Sequence, residues 1–354
     1  MTDKYKIDGH KMMYHVKRVA EWLENKDAFP IYMEVSPCGT CNHRCFFCSV
    51  DFMGYQKTFV DTDILKERIT ELADLGLKSI MFAGEGEPFL HKDLPSIIVH
   101  TKNVGIDVSI TTNGVLMYPD VSDQILSSVE WIKVSLNAGS AENYTKIHGT
   151  RANDFNKVLS NVEYAVKKRS DLNSRCALGI QILLFEENSH EVEELTKTAK
   201  DLGVDYIVIK PYTHHSKNDH LVKINYKQYE SLSKKLETYN SKGFSVIFRA
   251  NAMKKWDDKN RNFKKCVCLP FWSYIDASGT VWGCSAHLLE SQFNYGSILN
   301  QTFKEIWKGK KRKNSLQWVE ESLDIQSCKL NCRMGQVNQY LLELMDPPDH
   351  VNFI

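Results

Sequence analysis

Long apolar runs are missing from this sequence. No window approaches the ~18 residues that a membrane span needs, and the charged opening Met1-Thr-Asp-Lys-Tyr-Lys6 lacks the apolar core of a signal peptide. An excess of one charge is also missing: 45 Lys and Arg stand against 44 Asp and Glu, a formal net charge of +1. Such a balance gives no bias toward nucleic acid or an acidic membrane surface. The one basic cluster, Lys308-Gly-Lys-Lys-Arg-Lys313, reads as a solvated helix end. Internal repeats and low-complexity linkers are absent. The expectation is a cytoplasmic protein with no nucleic-acid or membrane partner.

Cysteine is not scarce. In a reducing compartment, ten cysteines do not make a disulfide framework. They cluster instead: Cys38, Cys41, Cys45 and Cys48 near the start, and Cys266, Cys268, Cys284, Cys328 and Cys332 near the end, with Cys176 alone. Two clusters predict two metal centres. The 354 residues, 42% of them hydrophobic, leave room for one large domain and a small one.

Between about residues 30 and 210, short β-like runs alternate with helical ones. Strands are predicted at Ile31–Val35, Ser79–Ala83, Asp107–Thr111, Ile132–Leu136, Ala177–Leu183 and Tyr206–Ile209. Helices are predicted over Ile64–Leu75, ended by Gly76, and over Glu191–Leu202, capped by Ser189 and stopped by Gly203. Repeated βα units imply a parallel α/β sheet with helices outside, curled by right-handed crossovers into a barrel or part of one. Side-chain parity adds that one strand face is polar: Tyr32, Glu34 and Ser36; Ser109, Thr111 and Asn113; Lys133, Ser135 and Asn137; Tyr206, Val208 and Lys210. If helices cover the apolar faces, the polar faces line a lumen suited to a polar ligand. After residue 213 the pattern changes to a helix at about 225–241 and a strand near Ser245–Phe248. A hairpin, Trp272–Ile275 and Thr280–Trp282, follows, then helices near 302–310 and 332–345.

The first cysteines follow the first strand, on the loop where barrel active sites form. Four thiolates there suit zinc as well as iron. The Cys-x3-Cys-x2-Cys spacing of Cys41, Cys45 and Cys48 is more specific: three thiolates hold three irons of a four-iron cluster and leave the fourth open to a ligand. This spacing, with Asn42 after the first cysteine and Phe47 before the last, resembles the signature of radical S-adenosylmethionine (radical SAM) enzymes. The resemblance implies a [4Fe-4S] cluster whose open iron is chelated by S-adenosylmethionine. Reductive cleavage then yields a 5′-deoxyadenosyl radical that abstracts hydrogen from an unactivated C–H bond, with a flavodoxin or ferredoxin as reductant. Cys38 falls outside the signature and reads as a buried or spare thiol.

Further motifs follow in the family's order. Gly84-Glu-Gly-Glu-Pro88 resembles the glycine-rich motif that holds the methionine amino group, through Gly84, Glu85, Gly86 and Glu87, although it departs from that motif by one glycine. Thr111-Thr-Asn-Gly114 resembles a strand end near S-adenosylmethionine, so Thr111 and Asn113 are carried over. Ser135-Leu-Asn137 resembles the ribose-contacting motif, and Gly179-Ile-Gln-Ile-Leu183, with Gln181, the segment that backs adenine. Taken singly, each reads equally as a turn, a strand cap or packing. The resemblance divides the chain into an N-terminal extension (1–29), a partial (β/α)6 TIM-type barrel (30–215), and a linker helix with a small α+β auxiliary iron–sulfur domain (216–354).

In that last part, Cys268-x10-Gly279-x4-Cys284 and Cys328-x3-Cys332 resemble the family's SPASM/twitch extension. The cysteines fall short of the two auxiliary clusters of a full SPASM domain. Cys268, Cys284, Cys328 and Cys332 are enough for one auxiliary [4Fe-4S] cluster, and four thiolates also suit zinc. Cys266 replaces one of them, stays free, or serves as a hydrogen donor if the reaction is an epimerisation.

The expected substrate wall is Lys133, Lys210, Tyr212, His214, His215 and Asp219, residues that suit hydroxyl or phosphate groups. Only about 30 residues precede the first strand, which disfavours a leader-peptide-binding domain. The leading expectation is oxidation or epimerisation of a carbohydrate-like or nucleotide-sugar small molecule. The alternatives are a peptide-modifying maturase and a non-catalytic iron–sulfur or zinc protein.

Overall fold

A computed structural model describes residues 5–353 except 8, 219–221, 259, 260 and 262. Asp219 therefore lies outside the described residues. One ten-stranded sheet organises the chain. Seven parallel strands follow in sequence order: β1 (Tyr32–Val35), β2 (Ser79–Phe82), β3 (Asp107–Thr112), β4 (Trp131–Ser135), β5 (Ala177–Leu184), β6 (Tyr206–Pro211) and β7 (Ser245–Phe248). The chain then returns to the other flank, where β8 (Trp272–Ile275) lies parallel to β1. β9 (Thr280–Trp282) and β10 (Asn294–Ser297) extend the sheet antiparallel. The order β10-β9-β8-β1-β2-β3-β4-β5-β6-β7 pairs no end strand with the other, which makes a partial barrel.

Strands from both sides of the expected boundary at residue 215 belong to this one sheet. The strand expected near Ser245–Phe248 is β7, which extends the six barrel strands in parallel, and the predicted hairpin is present but joins β1 edge to edge. The helices are α1 (Val16–Asn25), α2 (Thr62–Asp74), α3 (Leu94–Asn103), α4 (Pro119–Ile125), α5 (Ala141–His148), α6 (Ala152–Asp171) and α7 (Val192–Asp201). After β6 come α8 (Glu230–Glu237), α9 (Ala250–Asp258), α10 (Phe303–Lys308), α11 (Lys310–Ser322) and α12 (Gly335–Met345). No helix of the described residues is long and apolar enough to cross a membrane.

Local chemistry sets the helix ends. Asp61 caps α2, its carboxylate accepting from Asp63 N at 3.0 Å and Ile64 N at 2.9 Å. Leu65, Ile69 and Leu72 of α2 are fully buried, each contributing about 1.5–3 kcal/mol of transfer free energy. Ser189 does not cap α7: its hydroxyl donates to Glu186 O at 3.1 Å inside a short 3-10 turn. Asn188 holds that joint instead, because its amide reaches both strands' carbonyls, Asn137 O at 2.9 Å and Leu183 O at 2.8 Å. Parity holds across the sheet. Ile80, Ile110, Ile132 and Val134 pack under the helices, while Glu34, Thr111, Lys133, Ser135, Val208 and Lys210 face a lumen.

The lysines of the basic cluster are exposed at helix ends as expected, but Arg312 is not. Gly309 splits the cluster between α10 and α11, and Arg312 is 1% exposed. Its guanidinium pairs with Asp27 at 2.7 Å, donates to Trp307 O at 3.0 Å and stacks 3.9 Å from the Trp307 ring centroid. Trp307 Nε1 in turn donates to Ala28 O at 2.7 Å. These contacts fasten the C-terminal helices to the segment entering β1. Replacing Asp27 with Ala strands a buried cation, and a loss of about 3–5 kcal/mol in urea unfolding is expected. A loss near zero would show that water replaces the carboxylate.

Candidate active site

The loop leaving β1 places its four cysteines in two environments. Cys38 is fully buried, and its thiol donates to Glu87 O at 2.9 Å. Cys41, Cys45 and Cys48, with Phe47, line the lumen, a cavity of about 600 Å³. Cys48 N donates to Cys45 O at 3.1 Å, closing the turn that gathers two of these sulfurs. Arg44, exposed to solvent, braces the loop through Nη1, which donates to Cys41 O at 2.7 Å and His43 O at 2.6 Å. His148 Nε2 donates to Leu136 O at 3.0 Å, so Nδ1 is left to accept from the Cys45 thiol at 3.2 Å.

A network centred on Glu87 holds this loop to the strand ends. Its buried carboxylate accepts from Thr112 Oγ1 at 2.6 Å, Asn113 N at 2.8 Å and Phe89 N at 3.2 Å. Glu87 N donates to Thr40 O at 2.9 Å, and Asn113 Nδ2 donates to Asn42 Oδ1 at 2.7 Å. Gly86 lies so close under the loop that a Cβ would come 2.5 Å from Cys38 O. Gly84, at φ +140°, would place a Cβ 2.5 Å from both Ser36 Cβ and the Tyr274 hydroxyl. Glycine lets the chain approach a backbone at Gly86 and two side chains at Gly84.

The other expected residues divide. Thr111, Asn113, Ser135, Asn137 and Gln181 line the lumen with Gly84, Gly86 and Glu87. Ser135 Oγ accepts from Gln181 Nε2 at 3.2 Å, and Asn137, in a left-handed conformation at φ +52°, accepts Leu183 N at 2.8 Å. Glu85 turns away from the lumen, where its carboxylate accepts from Ala277 N of the β8–β9 turn at 2.6 Å. Lys133, Lys210 and Tyr212 line the lumen, but His214 and His215 do not. His214 Nε2 donates to Asn218 O at 2.8 Å, and His215 is buried against Phe52 with ring centroids 4.3 Å apart. Their loop is a strut: Asn218 Nδ2 donates to Cys48 O at 2.5 Å and Lys217 Nζ to Leu288 O at 2.6 Å. Sequence reasoning missed Arg249, Lys329 and Arg333 on the lumen wall. Arg249, directly after β7, was legible as a strand-end residue. Arg333 carried no signal beyond its place next to Cys332.

A second cavity of about 410 Å³ contains all five C-terminal cysteines. Cys266 Sγ lies 3.8 Å from Cys268 Sγ, and Cys328 Sγ lies 3.4 Å from His287 Nε2. Asn338 Oδ1 accepts from Val267 N at 2.8 Å and Cys268 N at 3.0 Å, fixing the Cys-x-Cys bend. Cys266 opens here and not into the lumen. The two cavities share Ser49, Lys210, Thr213, Arg249, Ser285, Lys329 and Arg333, so one wall separates the two cysteine sites.

The donor sets fit iron–sulfur clusters. All ten thiols are free. Burial pushes Cys41 up to about 12 and Cys45 well above the ordinary thiol range, so these sulfurs keep their protons until a bound cation displaces them. Three sulfurs at the first site leave one iron of a four-iron cluster open, and the second site has sulfur enough to close one.

The family model described as the radical SAM superfamily matches residues 35–199. A second, for the SPASM iron–sulfur cluster-binding domain, matches residues 266–333. The chain belongs to the radical SAM superfamily. Its two domains carry a S-adenosylmethionine-binding [4Fe-4S] cluster with S-adenosylmethionine, and an auxiliary iron–sulfur cluster. Curated relatives of this radical SAM protein include a GTP 3′,8-cyclase of Chlorobaculum tepidum, 28% identical over 191 residues, 52% of this chain and 55% of that one. The GTP 3′,8-cyclase of Clostridium acetobutylicum is 24% identical over 203 residues, 56% of this chain and 62% of its own. The chain thus spans less than two thirds of the relatives it matches. Streptococcus suis SuiB bound to S-adenosylmethionine superposes with a TM-score of 0.67 over 84% of this chain and 70% of SuiB, at 15% identity. The structure of anSMEcpe with bound AdoMet and a Cp18Cys peptide gives a TM-score of 0.56 at 17% identity over 88% of each chain. At such identity these structures show a shared fold.

Burial raises two carboxyls of the glycine-rich loop. Glu85 goes up to about 7, against the Ala277 N–H that lowers it, and Glu87 to about 6, against the Asn113 and Thr112 donors. Their ordinary value is 4.5, so between there and about 7 the folded chain holds more protons than the unfolded one. The contribution of these groups to stability is full below 4.5 and is lost as pH rises through about 6 and 7. Urea unfolding of the protein before cluster loading, followed against pH, is expected to show this slope. Glu85→Gln, which keeps an acceptor for Ala277 N, should flatten it. An unchanged slope would contradict the assignment.

Proposed function

We propose that this protein cleaves S-adenosylmethionine reductively at Cys41, Cys45 and Cys48, and acts on a polar small molecule held in the lumen. The observation that carries this reading is the convergence of those three sulfurs on one cavity with the strand-end residues Thr111, Asn113, Ser135, Asn137 and Gln181. When bound, the cluster and S-adenosylmethionine supply a one-electron cleavage that ends in hydrogen-atom abstraction from a C–H bond.

The chain's own residues supply position and shelter. Glu87, Thr112 and Asn113 fix the cysteine loop against β3 through the hydrogen bonds described above, so that the three sulfurs meet a cluster without reorganisation. Ser135 and Gln181 offer a hydroxyl and an amide on one wall, a pair that suits a ribose diol. The ring of Phe47, 5.2 Å from Phe185 and 5.9 Å from His148, screens the Cys45 side from water. Cys266, in the second cavity, faces the auxiliary site rather than the lumen, which favours a ligand role over hydrogen donation. That arrangement supports oxidation, with the substrate's electron passing to the auxiliary cluster, over epimerisation.

For the substrate, the polar, lysine-bearing wall supports a carbohydrate-like molecule or a nucleotide sugar. The curated relatives are named for GTP, which speaks for a nucleotide-bearing molecule within that range. Anaerobic reconstitution followed by a 5′-deoxyadenosine assay with sugars, nucleotide sugars and peptides tests the reading. Two four-iron clusters predict about eight irons per chain, whereas a zinc protein predicts none. Cys41→Ala, Cys45→Ala and Cys48→Ala should each abolish cleavage. Cleavage retained in any of these variants, or product formed only with a peptide, would overturn the corresponding part.

A further inference from the structure

Among the described residues, the cations that line the lumen outnumber its carboxylates. Lys133 of β4, Lys210 of β6, Arg249 and Arg333 all line it, and the last three also line the auxiliary cavity. Among the described residues, two carboxylates line the lumen, Glu34 and Glu87. Glu34 pairs with Arg333 Nη1 at 2.7 Å, and Glu87 is consumed by Thr112 and Asn113. Among the described residues, no carboxylate pairs with Lys133 or Lys210. Lys133 Nζ instead lies 4.8 Å from the Trp131 ring centroid.

Enclosed cations are costly unless something pairs with them. Nothing among the described residues does so for these two lysines, and both face other cations. Lys133 faces Arg249, Arg333 and Lys11, and Lys210 faces Lys133, Arg249 and Arg333, with Glu34 as the one opposing charge. Such a wall is complementary to a ligand that carries the missing negative charge. Two lysines call for two negative charges, more than a single carboxylate supplies.

We propose that the substrate carries a doubly charged anionic group, a phosphoryl or a pair of carboxylates, which Lys133 and Lys210 seat in the lumen, Lys210 on the wall shared with the auxiliary cavity. This rests on the reading of the lumen as the substrate site. It names the group that anchors the substrate and the residues that hold it. A proton linkage follows. Burial, and then the neighbouring cations, hold Lys133 down at about 8, and the same causes lower Lys210 well below the ordinary lysine range. An arriving anion raises both, so binding takes up protons at and above about pH 8, and affinity falls as pH rises through that value.

The test is calorimetry on the cluster-loaded, S-adenosylmethionine-bound protein, titrated with inorganic phosphate, pyrophosphate or succinate in two buffers of different ionisation heat. One saturable site with proton uptake is expected. Binding of the phosphates alone assigns a phosphoryl group, and binding of succinate alone assigns paired carboxylates. Lys133→Met and Lys210→Met should each weaken binding by about tenfold or more and reduce the uptake. Thermal melts of both variants without anion check that they fold, and removing a buried repelling charge should leave the melting temperature unchanged or raise it. No binding by any of the three anions, or uptake unchanged in both variants, overturns the proposal. So does weakened S-adenosylmethionine binding with anion binding intact, since it would assign the lysines to the cofactor. Formation of 5′-deoxyadenosine by the unaltered enzyme is scored separately, so the anion site and the radical chemistry can fail independently.

Discussion

The site depends on one buried carboxylate. Glu87 accepts hydrogen bonds from the end of β3 while its main chain receives the Cys38 thiol and donates to Thr40. A single residue therefore connects the cysteine loop, the glycine-rich loop and the third strand. Burying that carboxyl is unfavourable, and its position above the usual carboxylate range is the sign of it. The three donors around it make the arrangement stable enough to keep. Loops at the C-terminal edge of a barrel are ordinarily the mobile part of the fold. Here they are cross-braced, and the cross-brace is what gives three separate cysteines a common focus.

Much of this was legible in the sequence, for reasons of period and spacing. The lumen face could be read from parity, because β-strands alternate side chains strictly and Lys133, Ser135, Val208 and Lys210 stay in phase with their neighbours. The sulfur positions could be read from Cys-x3-Cys-x2-Cys, since a short loop cannot scatter them. What could not be read depends on distant contacts. Glu85 and Glu87 are two residues apart in one motif, yet Glu85 is drawn off by Ala277, 192 positions further on. The His214–His215 pair resembled substrate ligands in type, but the loop's anchors at Cys48 and Leu288 use it as a strut. Arg312 looked solvated within a run of lysines, and only the partner Asp27 shows otherwise.

The two cysteine sites belong to one electrostatic unit. Lys210, Arg249, Lys329 and Arg333 are common to both cavities. Their charge acts on the lumen and on the auxiliary thiols together. Iron–sulfur clusters with thiolate ligands carry net negative charge, and positive surroundings favour their reduced forms. A wall of cations between two such centres is therefore suited to electron acceptance on either side of it.

The pairing of β8 with β1 has a consequence for the life of the chain as well as for its chemistry. In register from Tyr32 with Trp272 to Val35 with Ile275, β8 covers the edge of the first strand to be synthesised. Until β8 arrives, the backbone donors and acceptors of Tyr32–Val35 face outward on one side, an open template for strands of other copies. A product truncated near residue 216 would keep Cys41, Cys45 and Cys48 but leave that edge bare. The C-terminal segment thus guards against self-association, and nonsense or frameshift alleles would be expected to yield aggregates rather than a barrel that merely lacks its second metal centre.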